Sequence, residues 1–328
     1  MNTKKTSRLI EQAEKLYDGE KYQEAIDLLL DKPSKKDKQN PYYWFYLGWC
    51  FNNKSVDDNI KEITKYLTKG IKLYEENPDI FTELREGVKD SKRLLIECYV
   101  RIGSIAINDE NKIKVEACRQ YILNHIDDCS DFESYYSAGE FLSFTMLLVD
   151  SDYKEIDTVL ELLHKAADLF NTNVEISRIE FELVKNLAFS QKGIQCIGEG
   201  DFNNVQVYVE KILASENKIP DDIGWLPYLS NIGVFLTICH INRHFMNLKE
   251  DISSIASVYL HECLKSDEKY FQDGGNLGLG LLNIENEKVA WNYFSKISKS
   301  NKECYDWIIF INVFPIWCIY PICRNKMS

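Results

Sequence analysis

The sequence predicts an all-α fold made of about seven helical hairpins in succession. Three observations carry that expectation. Apolar side chains line candidate helices at steps of three and four, as do Leu9, Ala13 and Leu16, or Trp44, Leu47, Gly48 and Phe51. Breakers and capping residues punctuate the chain between such runs. A twelve-residue spacing links a small residue on one helix to a slender one on the next at three places: Ala13 to Ala25, Gly193 to Val205 and Gly278 to Ala290.

The first pair spans 7–31. Leu9, Ala13 and Leu16 line one helix, Asp18-Gly19-Glu20 makes the turn, and Tyr22, Ala25, Ile26 and Leu29 line the next. Pro33 and the polar run 34–40 form a loop. The second pair, 41–78, is the clearest. Pro41 precedes the stripe of Trp44, Leu47, Gly48 and Phe51, and the small Gly48 lets a second helix approach closely. That second helix, over roughly 57–76, carries Ile63, Leu67 and Gly70 on its inner side.

The W-x2-L-G-x2-aromatic string at 44–51 resembles the first helix of a tetratricopeptide repeat, and G-E-K-Y-Q-E-A-I at 19–26 is similar to its second. The match over 41–78 needs a three-residue insertion in the turn. The resemblance implies a right-handed α-solenoid, one continuous repeat domain over 1–328, whose first helices line a concave groove for a peptide or helix. On that view 1–78 holds the clearest repeats and 79–266 degenerate pairs, followed by a last tetratricopeptide-like pair at 267–306 and an apolar C-terminal cap at 307–328.

Between the anchors, pairs are expected near 80–107 with 112–126, 132–150 with 153–171, and 222–246 with 248–266. Asn108-Asp109 with Asn111, Asp127-Asp128 with Ser130, Asp150-Ser151-Asp152 and Pro220-Asp221-Asp222 supply turns and caps. The segment 189–212 sets Gly193, Cys196 and Gly200 before Val205, Val209 and Ile212. In 277–294, Leu277, Gly278 and Leu281 precede Ala290 and Phe294.

The run 307–323, WIIFINVFPIWCIYPIC, has only Asn312 as a frankly polar residue. It is shorter than the ~20 residues of a membrane-spanning helix and is broken by Pro315 and Pro321. An acylated or surface anchor through Cys318 or Cys323 is an alternative; the expected role is a cap on the last hairpin, with no membrane partner.

Apolar residues make up 45% of the chain and charged residues 27%, the balance of a folded, water-soluble protein. The net charge of −12 is uneven, since 101–200 holds 18 Asp and Glu against 9 Lys and Arg. Such a segment repels a polyanion, so nucleic acid is not an expected partner. The surplus reads as a solvated surface, or as an acidic face that receives a basic partner. The ten cysteines are scattered with no C-x-x-C pair, and the start MNTKKTSRLIEQAEKL carries no secretory signal, so a reducing cytoplasm is expected.

Little in the chain suggests catalysis. His240 and His244 stand four apart, and with His261 and Cys263 they could in principle hold zinc; yet CHINRHF lacks the glutamate of an H-E-x-x-H helix. The glycines of 274–280 follow no strand, and Gly278 falls in the repeat register, so no dinucleotide loop is expected. The paired aspartates lie at turns, where Asp caps helices. The expectation is therefore no enzyme, no cofactor and no metal.

Surface recognition remains. Tyr42, Tyr43, Tyr46 and Trp49 flank the packing stripe of the second pair, and Tyr135, Tyr136 and Glu140 hold a comparable place on a later first helix. They are the candidate partner-binding residues, with packing between repeats as the competing role. Some members of the family hold a chaperone's acidic C-terminus with Lys, Asn and Arg on successive first helices. The matching places here carry Ile10 and Glu14, then Phe45 and Trp49, so that clamp is missing. The expected function is a scaffold, adaptor or regulator that binds a protein or peptide. The alternative is an immunity or inhibitor protein that neutralises a basic partner, such as a toxin, through the acidic surface.

Overall fold

The computed structural model describes residues 7–149, 153–170, 176–215, 225–246 and 251–298. Among them there are fourteen α-helices and no strand. In chain order these are α1 (Arg8–Asp18), α2 (Tyr22–Asp31), α3 (Pro41–Lys54), α4 (Val56–Glu75), α5 (Arg85–Asn108), α6 (Lys112–His125) and α7 (Phe132–Val149). There follow α8 (Ile156–Leu169), α9 (Arg178–Glu199), α10 (Phe202–Ala214), α11 (Leu226–Ile241), α12 (Ile252–Leu264), α13 (Lys269–Leu282) and α14 (Glu287–Phe294). The described residues fall into two compact units, one drawn from 1–151 and 161–172, the other from 152–160 and 173–328. The apolar run 307–323 lies outside the described residues.

Local chemistry sets the helix ends. Ser7 caps α1 by accepting from the Ile10 amide, Asn40 caps α3 ahead of Pro41, and Ser55 caps α4. Ser177 and Glu180 form a reciprocal capping box on α9, which closes on Gly200 at φ 76°, in the left-handed region that glycine tolerates. Helix α5 starts at Arg85 rather than near 80. Asn77-Pro78 opens two 3-10 turns, 78–80 and 82–84, before regular helix begins.

In the first unit α1 packs on α2, α3 on α4 and α5 on α6. The odd-numbered helices also pack in series, α1 on α3, α3 on α5 and α5 on α7. The second unit repeats this with α9, α11 and α13, paired with α10, α12 and α14.

The α3–α4 contact shows what holds a pair together. A Cβ added to Gly48 would collide with Leu67, and one added to Gly70 would lie 2.7 Å from Phe45. Each helix therefore pushes an apolar side chain into the glycine notch of the other. Leu67 and Phe45 are fully buried there. Trp44 sits beside them, its indole N–H donating to the Lys38 carbonyl at 2.9 Å, its ring stacked on Tyr66 and covered by the Lys69 ammonium at 3.9 Å.

The notch recurs at the same register on the other first helices. In each, an aromatic or apolar residue, two intervening residues, any residue, the small residue and an apolar residue three further on repeat the order of 44–51. The sets are Tyr99, Gly103 and Ala106; Tyr135, Gly139 and Leu142; Phe189, Gly193 and Cys196; Leu229, Gly233 and Leu236. Ala13 holds the position in α1 and Gly278 in α13. A Cβ at each of these glycines would approach a neighbour closer than 3.0 Å: Phe141, Leu163, Phe235, Leu260 and again Leu260. The neighbour is not always the second helix of the same pair, as the twelve-residue spacing implies. Gly48, Gly139 and Gly233 do receive that helix, but Gly193 receives Phe235 of α11 and Gly278 receives Leu260 of α12.

Gly48→Leu should overfill this contact and lower stability by about 1–3 kcal/mol or more. Thermal unfolding of that variant indistinguishable from the parent would place Gly48 away from the helix contact.

Candidate functional site

Counting from the small residue of each first helix, the positions six and three before it and one and four after it fall within an arc of about 80°. In the first unit they carry Ser7, Ile10, Glu14 and Tyr17 on α1, and Tyr42, Phe45, Trp49 and Asn52 on α3. They continue as Glu97, Val100, Ser104 and Ile107 on α5, and Glu133, Tyr136, Glu140 and Ser143 on α7. No lysine or arginine occupies any of these positions. On α9, α11 and α13 the same positions hold no ionisable side chain at all, running from Leu187 and Ser190 to Gln272 and Leu279.

The stripe is continuous across two junctions of the first unit. Between α1 and α3, the Tyr17 and Trp49 rings lie 6.1 Å apart, and the Glu14 carboxylate stands beside the hydroxyls of Tyr42 and Tyr46. Glu83, in the 3-10 turn before α5, also meets the Tyr42 hydroxyl, as its hydrogen-bond partner. Burial, and then these two carboxylates, push the Tyr42 hydroxyl up to about 12. Between α5 and α7, Glu97 faces Asp131 and Glu133. Among the described residues its close cation is Arg93, 2.6 Å away one turn back, with Arg101 more remote.

The expected binding residues separate into two groups. Tyr43 is 1% exposed and its hydroxyl donates to the Leu29 carbonyl at 3.0 Å; Tyr136 is buried against Phe132. Both fill the core. Tyr46 is also buried, as the floor of the ring cluster made by Tyr17, Tyr42 and Trp49. Tyr42, Trp49, Tyr135 and Glu140 are half-buried. The Trp49 indole N–H donates to Ser91 at 3.1 Å, and the Tyr135 hydroxyl to the Cys129 carbonyl at 2.7 Å. Glu97, Glu133, Tyr17 and Glu83 were not among the expected residues. Counting from the small residue finds the first three in sequence, whereas Glu83 sits in a turn and carries no such signal.

The residues considered for zinc do not converge. Among the described residues no group of three or more His, Cys, Asp or Glu is placed to hold a metal. Cys263 is fully buried, its thiol directed at the Tyr259 carbonyl, while His261 is exposed two residues away on α12. His240 is half-buried beside Arg243, and the His244 side chain lies outside the described residues. The glycines of 274–280 are inside helix α13. Among the described residues no helix is long and apolar enough to cross a membrane.

No protein-family model matches the chain, and no curated protein matches it.

Burial is the largest influence on Glu97 and raises its carboxyl above the ordinary range; Arg93 opposes it and Asp131 adds to it. A carboxyl raised in this way binds its proton more tightly folded than unfolded. Its charged form therefore costs stability above the raised value, and that cost is relieved as pH falls through it toward the ordinary ~4.3. In a carbon-detected NMR titration Glu97 should titrate above the ordinary ~4.3, and Arg93→Ala should move it higher still. A midpoint at or below ~4.3 in the parent would show that Glu97 is well solvated or fully paired.

Proposed function

We propose that the chain is a protein-binding helical-repeat scaffold of the tetratricopeptide kind, a right-handed solenoid that works as an adaptor or regulator in the cytoplasm. In support, each unit repeats one packing rule, a first helix on its own second helix and on the first helix of the next pair. The small residue at fixed register supports the same family reading. The seven described cysteines are free and buried, in keeping with a reducing compartment.

The observation that carries the reading is the stripe on α1, α3, α5 and α7. It combines half-buried aromatic rings with Glu14, Glu97, Glu133 and Glu140, and no lysine or arginine stands among its register positions. A surface of that kind receives a basic partner segment: carboxylates steer it and rings bury it. Binding, not catalysis, follows from such a face, and no cofactor is needed for it. The inhibitor reading draws on the same carboxylates. It differs in that the captured protein would lose an activity of its own when bound.

The test is a paired affinity purification from the native host, with the parent chain and the Glu97→Lys, Glu133→Lys double variant as baits. Partners held by the parent should be missing from the charge-reversed bait. Their association should slow as salt rises and the Debye length falls to ~8 Å. The same partners on both baits, with on-rates flat in salt, would remove the stripe from the account.

A further inference from the structure

We propose that the ring-and-carboxylate cluster on α1 and α3 is a receptor for a cationic side chain, arginine or lysine, carried by a basic segment of a partner protein. The inference rests on the partner-binding reading above and narrows it to one place and one chemistry. Tyr46 is the floor, 6% exposed, with ring centroids of Tyr17, Tyr42 and Trp49 at 5.8, 6.3 and 5.4 Å. Those three rings are half-buried, so each keeps part of its surface open. Glu14 and Glu83 stand at the hydroxyl rim, beside Tyr46 and Tyr42.

The chemistry of the occupant follows from what the cluster lacks. Lysine ammonium groups lie over Trp44, Tyr66, Tyr135, Phe181, Phe189, Tyr208 and Tyr293. Among the described residues none lies over Tyr17, Tyr42, Tyr46 or Trp49, and neither Glu14 nor Glu83 has a lysine or arginine partner. An apolar insert would cover the rings but strip water from two carboxylates whose charge is met only by the Tyr46 and Tyr42 hydroxyls, which is costly. An anion would meet two negative charges and the negative faces of the rings. A guanidinium or ammonium satisfies both features, through the ring quadrupoles and through charge-assisted bonds to the carboxylates. The carboxylates of Glu97, Asp131 and Glu133 in the same unit offer places for further cations of the segment.

The full chain is titrated against a fluorescein-labelled peptide alternating arginine and serine, and against its glutamate–serine counterpart, by anisotropy. The basic peptide should bind and the acidic one should not. Glu14→Gln and Tyr42→Leu should each weaken binding roughly five- to tenfold, with helical circular dichroism unchanged. Glu199→Gln, an exposed residue of α9 that removes the same charge, should change it less than about twofold. An equal loss from Glu199→Gln would mean unspecific attraction and overturn the receptor. So would loss in Glu133→Gln with none in Glu14→Gln, although that result would leave the stripe as a binding face. No binding of the basic peptide, or tighter binding of the acidic one, would overturn both the receptor and the basic-partner reading.

Discussion

The fold depends on one recurrent contact, in which an apolar side chain from a neighbouring helix occupies the space where a first helix has no side chain of its own. Gly48 receives Leu67, Gly103 Phe141, Gly139 Leu163, Gly193 Phe235, and Gly233 and Gly278 both receive Leu260. A missing side chain lets two helix axes approach closely, and packing ridges then interlock at short range. Glycine inside a helix costs about 1 kcal/mol relative to alanine, so the residue is retained only where close approach returns more. Helix α13 carries this furthest. Gly274, Gly275, Gly278 and Gly280 set it against Ser230, the Leu260 carbonyl, the Leu260 side chain and Phe294. Its helical state is a product of packing rather than of local preference.

The same contact determines what is left for recognition. To one side of the small residue runs the strip. Its position three before the small residue is packed into the core on the helices of the first unit that carry Ile10, Phe45 and Tyr136, while Tyr17, Tyr42, Trp49, Glu14, Glu97, Glu133 and Glu140 beside it stay at least partly open. In the first unit that strip gathers tyrosine, tryptophan and glutamate; in the second it is uncharged. The two units thus share a packing rule and differ in the surface it leaves. Within the first unit the rings are held in place by their neighbours. Trp49 is clamped by the Phe45 ring at 5.6 Å and the Ser91 hydroxyl, and Tyr46 is wedged between Tyr17 and Trp49. A face built this way is preorganised, which lowers the entropy lost on binding.

Much of the helix plan was legible in the sequence, and the gaps have physical causes. The first two pairs carried caps, turn residues and apolar stripes that agree with one another, and their helices lie where those signals put them. Helix α5 starts later than expected because Pro78 and the two 3-10 turns delay it. The region 79–266 reads as degenerate when tryptophan or leucine is sought beside the glycine. Tyr99 with Ile102, and Tyr135 with Ala138, are the different side chains that stand ahead of Gly103 and Gly139 where Trp44 and Leu47 stand ahead of Gly48. The site was harder to read. Five aromatics in a row on α3 look alike in sequence, and only the three-dimensional neighbours show that Tyr43 serves the core while Tyr42 keeps an open edge. The meeting of Glu97 with Asp131 and Glu133 depends on how α5 packs on α7, which periodicity alone does not determine.

If glycine stands at this register for the sake of close approach, alanine substitution at the register positions reveals it. Helix propensity by itself would make Gly→Ala stabilising by up to about 1 kcal/mol wherever it is placed inside a helix. Close packing gives the opposite sign at Gly103, Gly139, Gly233 and Gly278, where alanine should lower stability in chemical denaturation. Gly198→Ala on α9, where nothing lies within 4 Å of an added Cβ, should be neutral or stabilising. Stabilisation at the four register positions, matching that at Gly198, would contradict a role in close approach.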